Sequence, residues 1–280
     1  MFCFSIMALA AQEDVTTPGE FAGNFGGALL IYAFGWDDDI GDPSTARGAG
    51  CLIALNLLRY TLAYGTAYTL FYQLQLGKSH KFNPKYGEAD ILRRELMRWC
   101  CSVIIGTLYD VALRCMLATG GLPPLASGPL LTVPSVAILG GCVLFADLHF
   151  YTVHRILHTR TLYKHIHSSH HQSRNPNPIS GLSFHPIEGA VYFSSLPVAL
   201  KLCALAAVPL DRFHYCVLKS LLDFNPIWGH TGFGGPFGGS YHHYIHHERG
   251  FRLHVNFGGT WLFDGLFGTG LVVPRPTKAA

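Results

Sequence analysis

Apolar runs separated by short polar breaks dominate the pattern along the chain. The stretch 49–76 is largely apolar with Asn56 and Arg59 interrupting it, 99–119 carries Asp110 and Arg114, and 130–148 closes on Asp147. A bilayer core takes ~20 apolar residues in a helix, so each run is a candidate span. Gly121, Pro123, Pro124, Gly128 and Pro129 break the chain between the second and third, which predicts a helical hairpin. The runs 190–210 and 213–228 make another apolar pair, joined at Asp211 and Arg212. The stretch 25–36 is too short to span and is expected to lie in the interface. Beyond 146 the chain runs to 162 without proline or glycine, so the third span is expected to continue as a helix past the bilayer. These patterns predict an all-α integral membrane protein with about four transmembrane helices in two hairpins.

Composition agrees with that reading. Asp, Glu, Lys and Arg make up 13% of the chain, against ~25% in soluble proteins, and apolar residues reach 49%. A net charge of +3 without a Lys/Arg run gives no footprint for nucleic acid. Charge placement orients the spans. Lys78, Lys81, Lys85, Arg93, Arg94 and Arg98 lie between the first two, whereas Arg47 precedes them among Asp37, Asp38, Asp39 and Asp42. The positive-inside rule then puts 73–98 in the cytosol and 1–48 on the other side or in the interface. An even number of crossings between 149–188 and 230–270 brings both segments to the cytosolic face, and a complete 189–229 hairpin supplies it. The tail is 271–280. Eight cysteines sit mostly in apolar runs and none forms C-x-x-C, so they read as small buried hydrophobes. Residues 1–11 are apolar and end in small residues but lack the basic start of a signal peptide.

Histidine changes the picture most. Of sixteen, fourteen fall within 149–185 and 230–254. Each segment holds H-x-x-H-H, as His167, His170, His171 and as His243, His246, His247, and the pair His154 and His158 precedes the first. Positions i, i+3 and i+4 share a helix face, so each cluster is expected to aim two or three ring nitrogens at one point. His230 ends the last apolar run, thirteen residues before His243. His185, followed by Pro186, is an open tenth candidate or a helix start. Asp147, His165, Glu188, His242 and Asp264 are candidates to hold the far side of a ligating ring. His149 and His254 are assigned to packing, and His80 and His214 to no role. Nearby carboxylates are too few for a bridged site of Glu-x-x-His pairs. Nine or ten imidazoles exceed the four of a closed zinc site, which implies two metals with open positions and hence chemistry, although imidazole alone does not choose among zinc, iron and copper.

These residues resemble the fatty acid hydroxylase/sterol desaturase superfamily of membrane di-iron enzymes. The resemblance runs over about 78–269. It rests on Asp147 with His154-Arg-Ile-Leu-His158, Leu162 through His167-Ser-Ser-His170-His171, His185-Pro-Ile-Glu188, His230-Thr-Gly232, His242-His-Tyr-Ile-His-His247, Asn256-Phe-Gly258 and Phe263 through Thr269. The basic segment 82–96 and the doubled His242-His243 look most like sterol C-5 desaturases (lathosterol oxidases). Thr152 stands where the family usually has tryptophan, and Pro226 where some relatives have a further histidine.

The resemblance implies one hydroxylase domain over about 130–270, a four-helix transmembrane base and a cytosolic cap. It implies two irons, with zinc as a substitute, held by His154, His158, His167, His170, His171, His230, His243, His246 and His247. It further implies O2-dependent attack on an unactivated C–H bond of a sterol or other lipid, electrons from NAD(P)H through cytochrome b5 and its reductase, and residence in the endoplasmic reticulum. Fatty acyl, carotenoid and C-4 methyl sterol hydroxylation stay open. So does a non-catalytic metal-binding membrane scaffold.

Overall fold

The computed structural model describes residues 42–87, 89–125, 132–234, 240–249 and 254–273. The 25–36 stretch and most of 1–48 lie outside these. Nine α-helices form among them: α1 (Ala46–Tyr68), α2 (Ala89–Ala118), α3 (Val133–Leu157), α4 (Arg160–His165), α5 (Pro186–Phe193), α6 (Ser195–Leu205), α7 (Arg212–His230), α8 (Tyr241–Arg249) and α9 (Trp261–Leu266). No strand forms among the described residues; one isolated bridge pairs Lys81 with Phe233.

Local signals set several boundaries. Thr45 and Thr132 accept from Gly48 N and Ser135 N, capping α1 and α3, and proline occupies the first turn of α3. Asp211 caps α7 through a reciprocal capping box with His214. Among the described residues, three stretches are long and apolar enough to cross a membrane: Ala89–Ala118, Val133–Leu157 and Pro186–Leu205. Lipid-type exposure agrees, since Ile104, Leu108, Val136, Leu202 and Leu205 all face outward.

The spans differ in detail from the apolar pattern. The second begins ten residues early, at Ala89 rather than 99, and so takes Arg93, Arg94 and Arg98 into its first turns. The third continues unbroken past its apolar part to Leu157, short of the expected 162, and carries His154 with His158 as its C-cap. The run 190–210 is interrupted at Ser194, between α5 and α6. The run 213–228 is not a lipid-facing helix. It lies in α7, which is amphipathic and buries Lys219, Ser220 and Asp223 among twelve of its nineteen residues. A polar stripe at a 3.6-residue period demands partners, and other helices supply them. Lys219 pairs with Asp223 and sits over the Tyr60 ring of α1. Tyr215 donates to Asp110 of α2 at 2.5 Å, and Asn56 of α1 donates to the same carboxylate at 2.7 Å.

α2 packs on α1, on α5 and on a 3-10 turn at Pro178–Leu182, and that turn packs on α7. Gly181 makes the last contact possible: a Cβ there would lie 2.5 Å from the Pro226 carbonyl oxygen. Pro226 interrupts the ladder of α7 because it has no N–H for Leu222 O. The Tyr192 hydroxyl satisfies that carbonyl at 2.7 Å. Gly181→Ala is therefore expected to push α7 away from the turn and destabilise the protein by about 1–3 kcal/mol, read as a fall in the thermal unfolding midpoint in detergent.

Candidate metal centre

The histidine-bearing segments meet where the 3-10 helix His167–Gln172, the end of α3, the end of α7 and α8 converge. Nine buried histidines sort into two groups. His154, His158, His167, His171 and His246 form one, His170, His230, His243 and His247 the other, and in each the ligand atoms lie within 4.8 Å of one another. In the first, Nε2 of His167 lies 3.1 Å from Nε2 of both His154 and His171, and Nε2 of His246 lies 3.1 Å from that of His171. In the second, Nε2 of His230 lies 3.3, 3.0 and 3.2 Å from those of His170, His247 and His243.

Neither H-x-x-H-H triplet serves one centre whole: of the two or three ring nitrogens expected at one point, two meet in each. The i and i+4 members stay together, His167 with His171 and His243 with His247. The i+3 members cross over: His170 joins the His243 pair and His246 joins the His167 pair. Positions i+3 and i+4 diverge by about 100° around an α-helix such as α8 and by about 120° around a 3-10 helix such as His167–Gln172, enough to reach two neighbouring points. The two centres are thereby knitted together by both segments.

The rings are held from behind. Nδ1–H of His154 donates to Phe257 O at 2.6 Å, that of His230 to Pro226 O at 2.8 Å, that of His246 to Val255 O at 2.7 Å and that of His247 to Ser173 O at 3.2 Å. His167 Nδ1 donates to Glu188 Oε1 at 2.7 Å. Carbonyls and carboxylates only accept, so each of these Nδ1 atoms carries the proton and each Nε2 presents a lone pair. Lone pairs facing one another at about 3 Å repel, and a cation between them removes the conflict. Imidazole nitrogens about 2.1 Å from a metal lie roughly 3.0–3.4 Å from each other, which matches the separations above. The residues therefore fit two metal ions. His158 adds to the argument: it is buried, and neither ring nitrogen has a hydrogen-bond partner among the described residues. Burial first, then neighbouring imidazoles, holds His158, His167, His170, His171, His243 and His247 well below the usual histidine range, in the neutral form that binds metal. Phe184, Phe150 and Phe257 wall the site, with ring centroids 5.0 Å from His170, 5.1 Å from His154 and 5.1 Å from His158.

The candidates for supporting roles fare differently. Glu188 touches His167 directly. Asp264 is buried and accepts from Phe257 N, Gly258 N, the Thr269 hydroxyl and His242 Nε2, so it shapes the loop whose Phe257 carbonyl holds His154. His242 reaches that carboxylate and not a metal-facing position. Asp147 touches no histidine ring; it accepts from the Thr260 hydroxyl at 2.5 Å and braces the same loop from α3. His165 is exposed, on the outer side of α4, and supports no ligand ring. His185 lies outside both groups: its Nδ1 accepts from Ile187 N at 3.2 Å and caps α5. His149 contacts Ser194 at 3.4 Å, and His254 is exposed. Glu95, in the first turns of α2, escaped the sequence reading. It is buried and bonds the Ser173 hydroxyl and Asn177, seventy-eight and eighty-two residues away, a pairing no local pattern announces.

A helical membrane protein with two buried all-histidine pockets is thus defined by fold and site. Residues 139–269, which include all nine histidines, match the family model "Fatty acid hydroxylase". Among curated proteins, it is 36% identical to lathosterol oxidase of Rattus norvegicus over 110 residues, covering 37% of this chain and 35% of that protein. It is 33% identical to a probable Delta(7)-sterol 5(6)-desaturase of Neurospora crassa over 132 residues, 45% of this chain and 36% of that one. It is 28% identical to very-long-chain aldehyde decarbonylase GL1-11 of Oryza sativa subsp. indica over 200 residues, 66% of this chain and 70% of that one. The matches to the two sterol enzymes thus span little more than a third of their length. No solved structure matches the chain.

Proposed function

We propose that this protein is a membrane di-iron oxidoreductase that uses O2 and reductant to desaturate or hydroxylate a lipid, with a sterol attacked as in C-5 desaturation the leading substrate. The observation that carries the proposal is the division of nine buried, neutral imidazoles into groups of five and four inside the segment that matches the fatty acid hydroxylase model. His154, His158, His167, His171 and His246 would hold one iron, and His170, His230, His243 and His247 the other. Bound iron supplies O2 activation and oxidation of an unactivated C–H bond. The chain's own residues do the rest. The carbonyls of Phe257, Pro226, Val255 and Ser173 and the Glu188 carboxylate fix ring orientation and tautomer. Phe150, Phe184 and Phe257 keep water from the rings. Around a six-coordinate iron, five and four ligands would leave positions open, as catalysis requires, whereas four would close a tetrahedral zinc site.

Electrons from NAD(P)H through cytochrome b5 and its reductase, residence in the endoplasmic reticulum and a cytosolic histidine cap complete the proposal, over a domain of about 130–270. The topology has a direct check: a protease-accessible tag after Thr269 should be cleaved from the cytosolic side of sealed microsomes, and protection would break the even-crossing argument.

The function is tested on purified protein reconstituted with a reductase system. Two irons per chain and O2 uptake coupled to lipid oxidation are expected. Stoichiometric zinc without lipid product would leave the metal-binding scaffold standing instead. Sterol and fatty-acid profiles of cells lacking the gene should show one accumulated precursor. A sterol lacking one double bond supports C-5 desaturation, and a fatty acyl, carotenoid or C-4 methyl sterol precursor reassigns the substrate within the same chemistry.

A further inference from the structure

The first turns of α2 grip the 169–177 segment without touching a histidine ring. Arg98 donates from Nη1 to Ser169 O at 2.9 Å and from Nη2 to Gln172 Oε1 at 3.0 Å. Glu95, one turn earlier, is 1% exposed and uses both carboxylate oxygens. Oε1 accepts from the Ser173 hydroxyl, and Oε2 accepts from Asn177 Nδ2 at 2.6 Å. Ser173 is the residue whose carbonyl receives the His247 Nδ1 proton. Asn177 caps the Pro178–Leu182 turn, which packs on α7, the helix that ends in His230.

We infer that Glu95 is a positioning residue for the group His170, His230, His243 and His247: it fixes the carbonyl that orients His247 and the turn that supports His230. The inference rests on reading that group as a metal site. Its physical basis is the arrangement of donors. A carboxylate has four lone-pair directions and no proton to offer, so it holds two donors at once and tolerates neither in the reversed orientation. Ser173 and Asn177 are therefore locked into one rotamer each, and the backbone between them into one path. Ring partners of this kind typically change metal affinity 10–100-fold when removed. Glu95 acts one contact further out, so a loss near the lower end is expected. The other group takes its ring partners from Phe257, Glu188 and Val255, none of which Glu95 touches, so its affinity should not move.

The experiment titrates full-length protein in detergent with Co(II), following bound metal per chain and the visible absorption of each site. Wild type should take up two ions. Glu95→Ala should weaken one site by about tenfold and shift its absorption, while the other site keeps both affinity and spectrum. Glu95→Gln retains one of the two contacts and should fall between, which also covers a poorly folding alanine variant. In a His247→Ala background, Glu95→Ala should cost less than it does alone, because only its support of His230 through the Asn177 turn remains. Asp110→Asn serves as the structural control, since Asp110 is equally buried in α2 and, among the described residues, bonds Asn56, Tyr215 and Arg114 and no residue of the 169–177 segment. It should lower the unfolding midpoint without moving either spectrum. Two ions bound by Glu95→Ala with wild-type affinity and spectrum would overturn the inference alone, as would equal weakening of both sites. Fewer than two ions in wild type would overturn the metal-site reading, and this inference with it.

Discussion

His170→Ala and His246→Ala are each expected to reduce lipid oxidation to background, by more than the roughly 100-fold that loss of an outer partner costs. They should do so from different centres. His170 sits with His230, His243 and His247, although its sequence neighbours His167 and His171 belong to the other group. His246 sits with His154, His158, His167 and His171, although its neighbours His243 and His247 do not. Metal analysis should find about one ion left in each single variant and close to none in the double. His170→Ala combined with His230→Ala should cost little more than either alone, because both act on one centre. His254 lies exposed, with its ring centroid 6.3 Å from His158 and no place in either group. His254→Ala should retain both metals and most activity. Loss of metal in that variant equal to the other two would mean that the five-histidine group has a sixth member. Loss of the same ion from both single variants would refute the crossed arrangement and restore one triplet per metal.

That crossing marks where the sequence stops being informative. The motif spacing is enough to select the nine histidines as candidates, because imidazoles at i, i+3 and i+4 and at the end of an apolar run are rare without a ligand to hold. Their division into groups depends on where four separate segments meet, which no local spacing encodes. His185 illustrates a similar limit. Its motif reads equally as a ligand or as a helix start with proline in the first turn, and backbone geometry decides for the start, with the ring capping Ile187 N. Asp147 stands seven residues before His154, nearly on the same helix face, yet the His154 ring takes Phe257 O instead and Asp147 turns to Thr260. Glu95 was invisible for a different reason: its partners lie across a tertiary contact between α2 and the 173–177 loop. The same holds for α7. Its apolar residues read as a lipid-facing helix, but the buried Lys219 and Asp223 show a helix packed inside the bundle, where Tyr60, Tyr215 and Asp110 offset the cost of desolvating charge. Long apolar runs were legible because a bilayer demands length; pairing among polar residues was not, because it has no period.

Removal of metal should be the other large effect. Without cations, eight buried imidazoles face one another with lone pairs about 3 Å apart, and His158 has no hydrogen bond for either nitrogen among the described residues. Metal binding to the folded state alone contributes about 4 kcal/mol per site at a thousandfold over Kd, so chelation of both sites should lower the unfolding midpoint by more than about 10 °C. The chelated protein should also be acid-labile, and the sign follows from burial. Desolvation holds His167, His170, His171, His243 and His247 well below the usual histidine range in the folded chain. The unfolded chain protonates them below about pH 6.5, so it binds more protons there and stability falls as pH falls. The stabilising contribution is complete above that pH and is lost progressively below it. Thermal melts of the chelated protein between pH 7.5 and 5.5 should show a midpoint that drops with acid, and replacing His167 and His171 by phenylalanine should flatten the slope. A midpoint independent of pH over that window would mean that these rings already reach water once the metal is gone, and that the pocket is built by the ions and not by the fold around them.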